Sequence, residues 1–155
     1  MRPGVGTVLA AFMMVSAGVL AGAVQDPTPD AVSPLGLWQT LSDEDGRVQS
    51  RVLIYEEHGK VFGKVDRVLV TETISDICLK CKDERKDQPL VGLVIMRNMR
   101  ASGNEYKGGD ILDPSSGRIY RCKFKLDKTG SILTVRGYLG FSLFGRSQKW
   151  HRVTP

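Results

Sequence analysis

The segment from Glu105 to Val153 reads EYKGGDILDPSSGRIYRCKFKLDKTGSILTVRGYLGFSLFGRSQKWHRV, and it decides the fold. Its clearest part is Arg118 to Leu126. Tyr120, Cys122, Phe124 and Leu126 are apolar or aromatic, and Arg121, Lys123 and Lys125 between them are charged. A period of two places the first set on one face of a strand and the second on the other. One dry face and one wet face argue for an antiparallel sheet, since parallel sheets are covered on both sides.

Working outward, the same alternation recurs between turn signals. Glu105 to Leu112 reads as a strand and Asp113-Pro114-Ser115-Ser116-Gly117 as a turn. After the central strand, Asp127-Lys128-Thr129-Gly130 turns the chain into Ser131 to Tyr138, and Arg146 to Val153 closes the series. Upstream, strands are expected at Gly36 to Leu41, Arg47 to Tyr55, Lys60 to Val65 and Leu90 to Met99. Asp45-Gly46 and His58-Gly59 supply turns, and Gly63 signals a bulge or a close approach. Regularity breaks at Asp66 to Pro89, a long connection holding Cys78, Cys81 and the charge run Lys82 to Asp87, with Arg67 to Ile74 a short strand or helix. Eight strands joined mostly by short loops predict an all-β protein, an up-and-down antiparallel barrel that leaves no open edge. A two-sheet sandwich is the alternative, but its crossings need longer connections.

The N-terminus reads differently. Arg2 provides a positive start, Val8 to Leu20 is almost wholly apolar or small, and Ala21-Gly22-Ala23 fits a cleavage site. This is the pattern of a secretory signal peptide over residues 1–23. The apolar run is too short to span a bilayer, so no stable membrane insertion is expected. Residues 24–35 contain Pro27, Pro29 and Pro34 and read as a flexible leader, leaving 36–155 as one β-barrel domain. The expected location is periplasmic or secreted. Loss of Arg2 lowers the net charge from the +5 of the full chain to +4. That excess is spread over alternating strands, which describes a solvated surface and not a nucleic-acid site.

Two features resemble known proteins. Gly36-x-Trp38 with a late Arg152 resembles the lipocalin and calycin pattern, in which an N-terminal Trp packs against a late Arg and closes one barrel end. Over nearly the whole mature chain the sequence resembles the lipocalin-like domain-of-unknown-function family 2147 (DUF2147). The matching stretches include Gly36-Leu37-Trp38, Cys78-Leu79-Lys80-Cys81, Lys86-Asp87-Gln88-Pro89-Leu90, Gly108 to Pro114, Gly117-Arg118-Ile119-Tyr120, and Val135 to Trp150. The resemblance implies a small exported lipocalin-like barrel and carries no activity with it.

The candidate chemistry is sparse. Cys78-x-x-Cys81 reads first as a local disulfide pinning the long connection. A redox pair is a second reading, helped by Lys80, Lys82 and Arg85, though a thioredoxin-type pair needs a helix N-terminus. Half a metal site is a third, but zinc wants four ligands, and His58 and His151 lie far away. Cys122 falls on an apolar face as a small hydrophobe. Trp38, Tyr120, Tyr138 and Trp150 either line a ligand cavity or fill the core. Arg136 points inward if Ile132 does, and would then hold an acidic group of a ligand. It is solvated if Leu133 and Val135 face inward instead. The apolar tip of Leu139, Phe141, Leu143 and Phe144 between glycines reads as a plug over the barrel end, before a lid or a membrane-touching loop. No catalytic constellation and no cofactor motif stands out. The expectation is a non-enzymatic protein binding a small, partly apolar ligand in the barrel. The alternatives are a thiol or metal module at Cys78 and Cys81, and an envelope interaction protein using loop 66–89.

Overall fold

The computed structural model describes residues 32–70, 75–141 and 143–154. The expected signal peptide, most of the leader and part of the Arg67 to Ile74 segment lie outside the described residues.

Eight strands form one closed antiparallel barrel in sequence order. They are β1 (Gly36–Leu41), β2 (Val48–Glu57), β3 (Lys60–Val68), β4 (Val94–Ser102), β5 (Glu105–Asp113), β6 (Arg118–Leu126), β7 (Ile132–Tyr138) and β8 (Gly145–Arg152). Each strand pairs with the next, and β8 returns to β1. The predicted meander is therefore the fold. β4 begins at Val94 and not at Leu90, because Leu90 to Leu93 form a turn with Gly92 in the left-handed region and the Leu93 N–H donating to the Leu90 carbonyl.

The alternation read from β6 holds in three dimensions. Cys122 and Phe124 are buried, and Arg121 and Lys125 are exposed. Trp38, Val52, Ile54, Met96, Met99, Cys122, Phe124, Leu133 and Trp150 fill the interior almost without solvent contact. Tyr106 stacks on Phe124 with ring centroids 4.7 Å apart. Gly63 marks both a register irregularity and a close approach: a side chain there would meet the Met96 Cβ at 3.2 Å.

The β1–β8 seam that closes the barrel is short, with Trp38 opposite Arg152 and Gln39 opposite His151. Arg152 reinforces it. Its guanidinium carbon lies 4.3 Å from the centre of the Trp38 ring. Nε donates to the Gly130 carbonyl at 2.6 Å, Nη1 to Leu35 at 2.8 Å and Nη2 to Ser33 at 2.6 Å. The Trp38 Nε1 donates to the Pro34 carbonyl at 2.8 Å. The last leader residues are thus tied to the barrel. Gly36 has φ +121° and a Cβ there would lie 3.2 Å from the Arg152 Nη1, so both backbone and space call for glycine. This is the closed end of the barrel.

Arg152→Ala should cost about 2–4 kcal/mol in unfolding free energy, since it removes a cation–π contact and orphans three carbonyl partners. Arg152→Lys should recover only part, because an ammonium lacks the fork that reaches all three carbonyls. Denaturant midpoints of the three proteins check both expectations.

Candidate functional site

The ends of β1, β3, β5 and β7 meet the starts of β2, β4, β6 and β8 at the opposite end, which we call the mouth. Its inner wall is less closed than the rest of the interior. Tyr120 follows the inward parity of Cys122, and Ile111 is its cross-strand partner. A Cβ on Gly137 would lie 3.3 Å from the Tyr120 Cβ and 3.5 Å from the Ile111 Cγ2, so these three residues meet. Thr40 and Ser50 face each other with their hydroxyls 2.8 Å apart. Gln148 pairs with the inward Val135, and its Oε1 lies 3.4 Å from the Trp150 Nε1. Ser50, Ile111, Tyr120 and Gln148 are each only partly buried. At the mouth the inward side chains are thus partly open and of mixed apolar and hydroxyl-bearing character, above a filled core.

Beside it lies a second element, residues 75–93, here called the flap. The long connection is not loose. Cys78 and Cys81 are joined by a disulfide and almost wholly buried. The Cys78 N–H donates to the Gln88 carbonyl and the Leu90 N–H to the Asp76 carbonyl, tying the two arms together. The flap covers an outer face of the barrel. Leu112 is opposite the outward Ile119, yet it is buried, and so is Ile95 beside the inward Met96. The flap's backbone rests on the β5–β6 turn: a Cβ on Gly117 would lie 1.8 Å from the Lys80 carbonyl oxygen. Gly117 also has φ +70°, so only glycine fits.

The charge run is consumed within the flap and its seat. Arg85 is 3% exposed. It holds Asp83 through Nε at 3.0 Å and Nη2 at 2.6 Å, and donates from Nη1 to the Val94 carbonyl at 3.1 Å. Glu84 pairs with Arg97 of β4 at 2.5 Å. The Arg85 hydrogen bonds hold the Asp83 carboxyl down at about 2. Burial pushes Asp110 of β5 upward, with Arg85 and Arg97 pulling against it. Burial, then the Asp110 charge, pushes the Cys122 thiol up to about 12.

The structure separates the five candidate ligand residues. Trp38 and Trp150 are buried in the core and do not line an open cavity. Tyr120 stands alone among them at the mouth. Leu133 and Val135 face inward, so Arg136 and Tyr138 lie on the outer face, correcting the inward reading of Arg136. Among the described residues the buried arginine is Arg85, whose sequence signal is its place two residues after an aspartate. Cys78 and Cys81 form a buried cross-link, and among the described residues no cluster of three or more His, Cys, Asp or Glu side chains is placed to hold a metal. The apolar tip is not a plug: Leu139, Phe141, Leu143 and Phe144 are 56%, 80%, 81% and 73% exposed. The interior below is already filled, so there is no space for the phenylalanines to enter.

A closed eight-stranded meander with a Trp–Arg clasp at one end is a lipocalin-like barrel. The likeness extends to a solved structure described as "Protein HP1028 from the human pathogen Helicobacter pylori belongs to the lipocalin family", with a TM-score of 0.68 at 18% identity, covering 79% of this chain and 84% of that one. The family model "Uncharacterized protein conserved in bacteria (DUF2147)" matches residues 36–152, and the chain belongs to that family. No curated protein matches the chain.

Two measurements test the flap. Asp83→Asn should lower the melting temperature at neutral pH. The native carboxyl titrates at about 2 against an ordinary 3.8, so its contribution is present above about pH 4 and lost as pH falls towards 2. The gap between the two proteins should therefore close over that window. Cys122 should resist a thiol reagent in the native protein and react once the chain is unfolded.

Proposed function

We propose that this chain is an exported, non-catalytic binding protein that takes a small, partly apolar ligand in the mouth of its barrel. The observation that supports this reading is the contrast along the barrel interior. Through the middle of the barrel, the inward side chains exclude solvent. At the mouth, Ser50, Ile111, Tyr120 and Gln148 remain partly open, offering aromatic, aliphatic, hydroxyl and amide groups around the barrel end. Small-ligand sites combine apolar walls with a few polar groups in this way. The lipocalin-like fold is consistent with the reading, as an analogy of fold and not of site.

The filled core sets the size. The ligand sits across the mouth instead of descending the barrel, so a compact molecule or one end of a longer one is favoured. The acidic group expected to face Arg136 has no such partner inside, because Arg136 is on the outer face. Neutral hydrogen-bonding groups of the ligand would instead meet Ser50, Tyr120 and Gln148. Export rests on the signal-peptide pattern of residues 1–23.

Nile red, a neutral apolar fluorescent dye, should bind the native protein at one saturable site with a rise in emission. Tyr120→Ala should weaken that binding by roughly tenfold, about 1.4 kcal/mol, without lowering the melting temperature in proportion. Phe141→Ser should leave it unchanged. Absence of saturable binding, or dependence on Phe141 and not on Tyr120, would count against the mouth as the site.

A further inference from the structure

The three strands that carry the apolar tip and its neighbour also carry a basic outer face. Outward positions on β6 are Arg121, Lys123 and Lys125, on β7 Arg136, and on β8 Lys149. The register aligns them further. Arg100 of β4 is opposite Lys107 of β5, Lys107 is opposite Lys123 of β6, and Lys123 is opposite Arg136 of β7. Four cations therefore lie side by side across four adjacent strands. Like charges directly opposite one another in a sheet are unfavourable. Among the described residues, no outward position of β6, β7 or β8 carries an acid. Beside this face, Glu105 lies 3.7 Å from Lys107, and Asp110 of β5 is opposite Arg121.

The apolar tip is held against this face. Arg136 donates from Nη1 to the Ser147 hydroxyl at 2.9 Å and from Nη2 to the Leu143 carbonyl at 3.2 Å. The Leu139 N–H donates to the Phe144 carbonyl at 3.3 Å. Because Arg136 points outward, the bond to Leu143 draws the tip over the basic side. Arg146, at the base of the same hairpin, is paired with Asp43 of the β1–β2 turn. The result is a convex apolar knob of two leucines and two phenylalanines, rimmed by arginine and backed by a row of lysine and arginine.

We infer that this knob and the basic outer face of β6–β8 dock the protein on an anionic lipid surface. The chemistry separates the two parts. Leucine and phenylalanine at a protruding turn enter the boundary between headgroups and acyl chains, as apolar side chains of peripheral proteins do. Lysine and arginine behind them meet the phosphates of anionic headgroups, an attraction that ends within a Debye length of the surface. A nucleic acid would use the cations but give no role to a solvated apolar knob. A protein groove would use the knob but would not call for the row extending to Arg100. The docking surface is separate from the mouth site proposed above and stands without it.

The test is co-sedimentation of the full protein with vesicles of phosphatidylcholine alone and of phosphatidylcholine mixed with phosphatidylglycerol. Binding to the mixed vesicles is expected, with little to the neutral ones, and should weaken as salt rises. Phe141→Ser with Phe144→Ser should reduce it by roughly tenfold or more, and so should Arg121→Glu with Lys123→Glu. All four positions are on the surface, so circular dichroism should show each variant folded. Tyr120→Ala should bind vesicles like the parent, which keeps this result distinct from the fate of the mouth site. Failure of the parent to bind mixed vesicles overturns the inference. So does binding that neither pair of substitutions weakens, or tighter binding to duplex DNA that depends on Lys123 and not on Phe141.

Discussion

The contact between Arg152 and the Trp38 ring is what the rest of the molecule depends on. A meander of eight strands becomes a barrel only if its last strand returns to its first, and here that seam holds just two residue pairs. Two pairs of backbone contacts are a weak closure. Arg152 strengthens it by stacking on Trp38 while its guanidinium ties Gly130, Leu35 and Ser33 to one point. A planar cation with donors on several edges is suited to that task, and an ammonium is not. With one end locked, bulky side chains can pack to the middle of the barrel, and openness is left to the other end.

That asymmetry organises the functional regions. The closed end spends its side chains on packing. The mouth end carries the flap, the β5–β6 turn and the β7–β8 tip. Each has a separate physical role. The flap covers Ile95 and Leu112 on the outer wall and is fastened by the disulfide and by Arg85. The tip covers nothing and stays in solvent. Two segments of similar apolar content therefore end in opposite environments, because only one of them has an apolar seat and internal partners for its charges.

Much of this was legible in the chain, and the parts that were not have identifiable causes. Tyr120, Cys122, Phe124 and Leu126 alternate cleanly with charges, so the inward face of β6 reads directly. In β7 both parities contain apolar residues, Ile132 with Tyr138 and Leu133 with Val135, so the direction of Arg136 is undetermined until the register is seen. The cover on the outer wall has its own signal in the chain: Ile95-Met96 and Ile111-Leu112 are consecutive apolar pairs, which a strand with one wet face does not need. The basic row could not be read at all. Its members come from four strands, and an irregularity between Lys107 and Gly109 shifts the β5–β6 register that brings Lys107 level with Lys123. Charge that looks dispersed along a sequence becomes a face once alternation sends it all to one side.

The central claim is that the barrel is filled from its closed end and loaded only at its mouth. Native mass spectrometry of the protein purified from the cells that make it tests this most directly. The account predicts a native mass above that of the chain by the weight of one small organic molecule, an excess that disappears when the protein is denatured. A native mass equal to that of the bare chain, from material purified gently enough to retain weakly bound species, would contradict it.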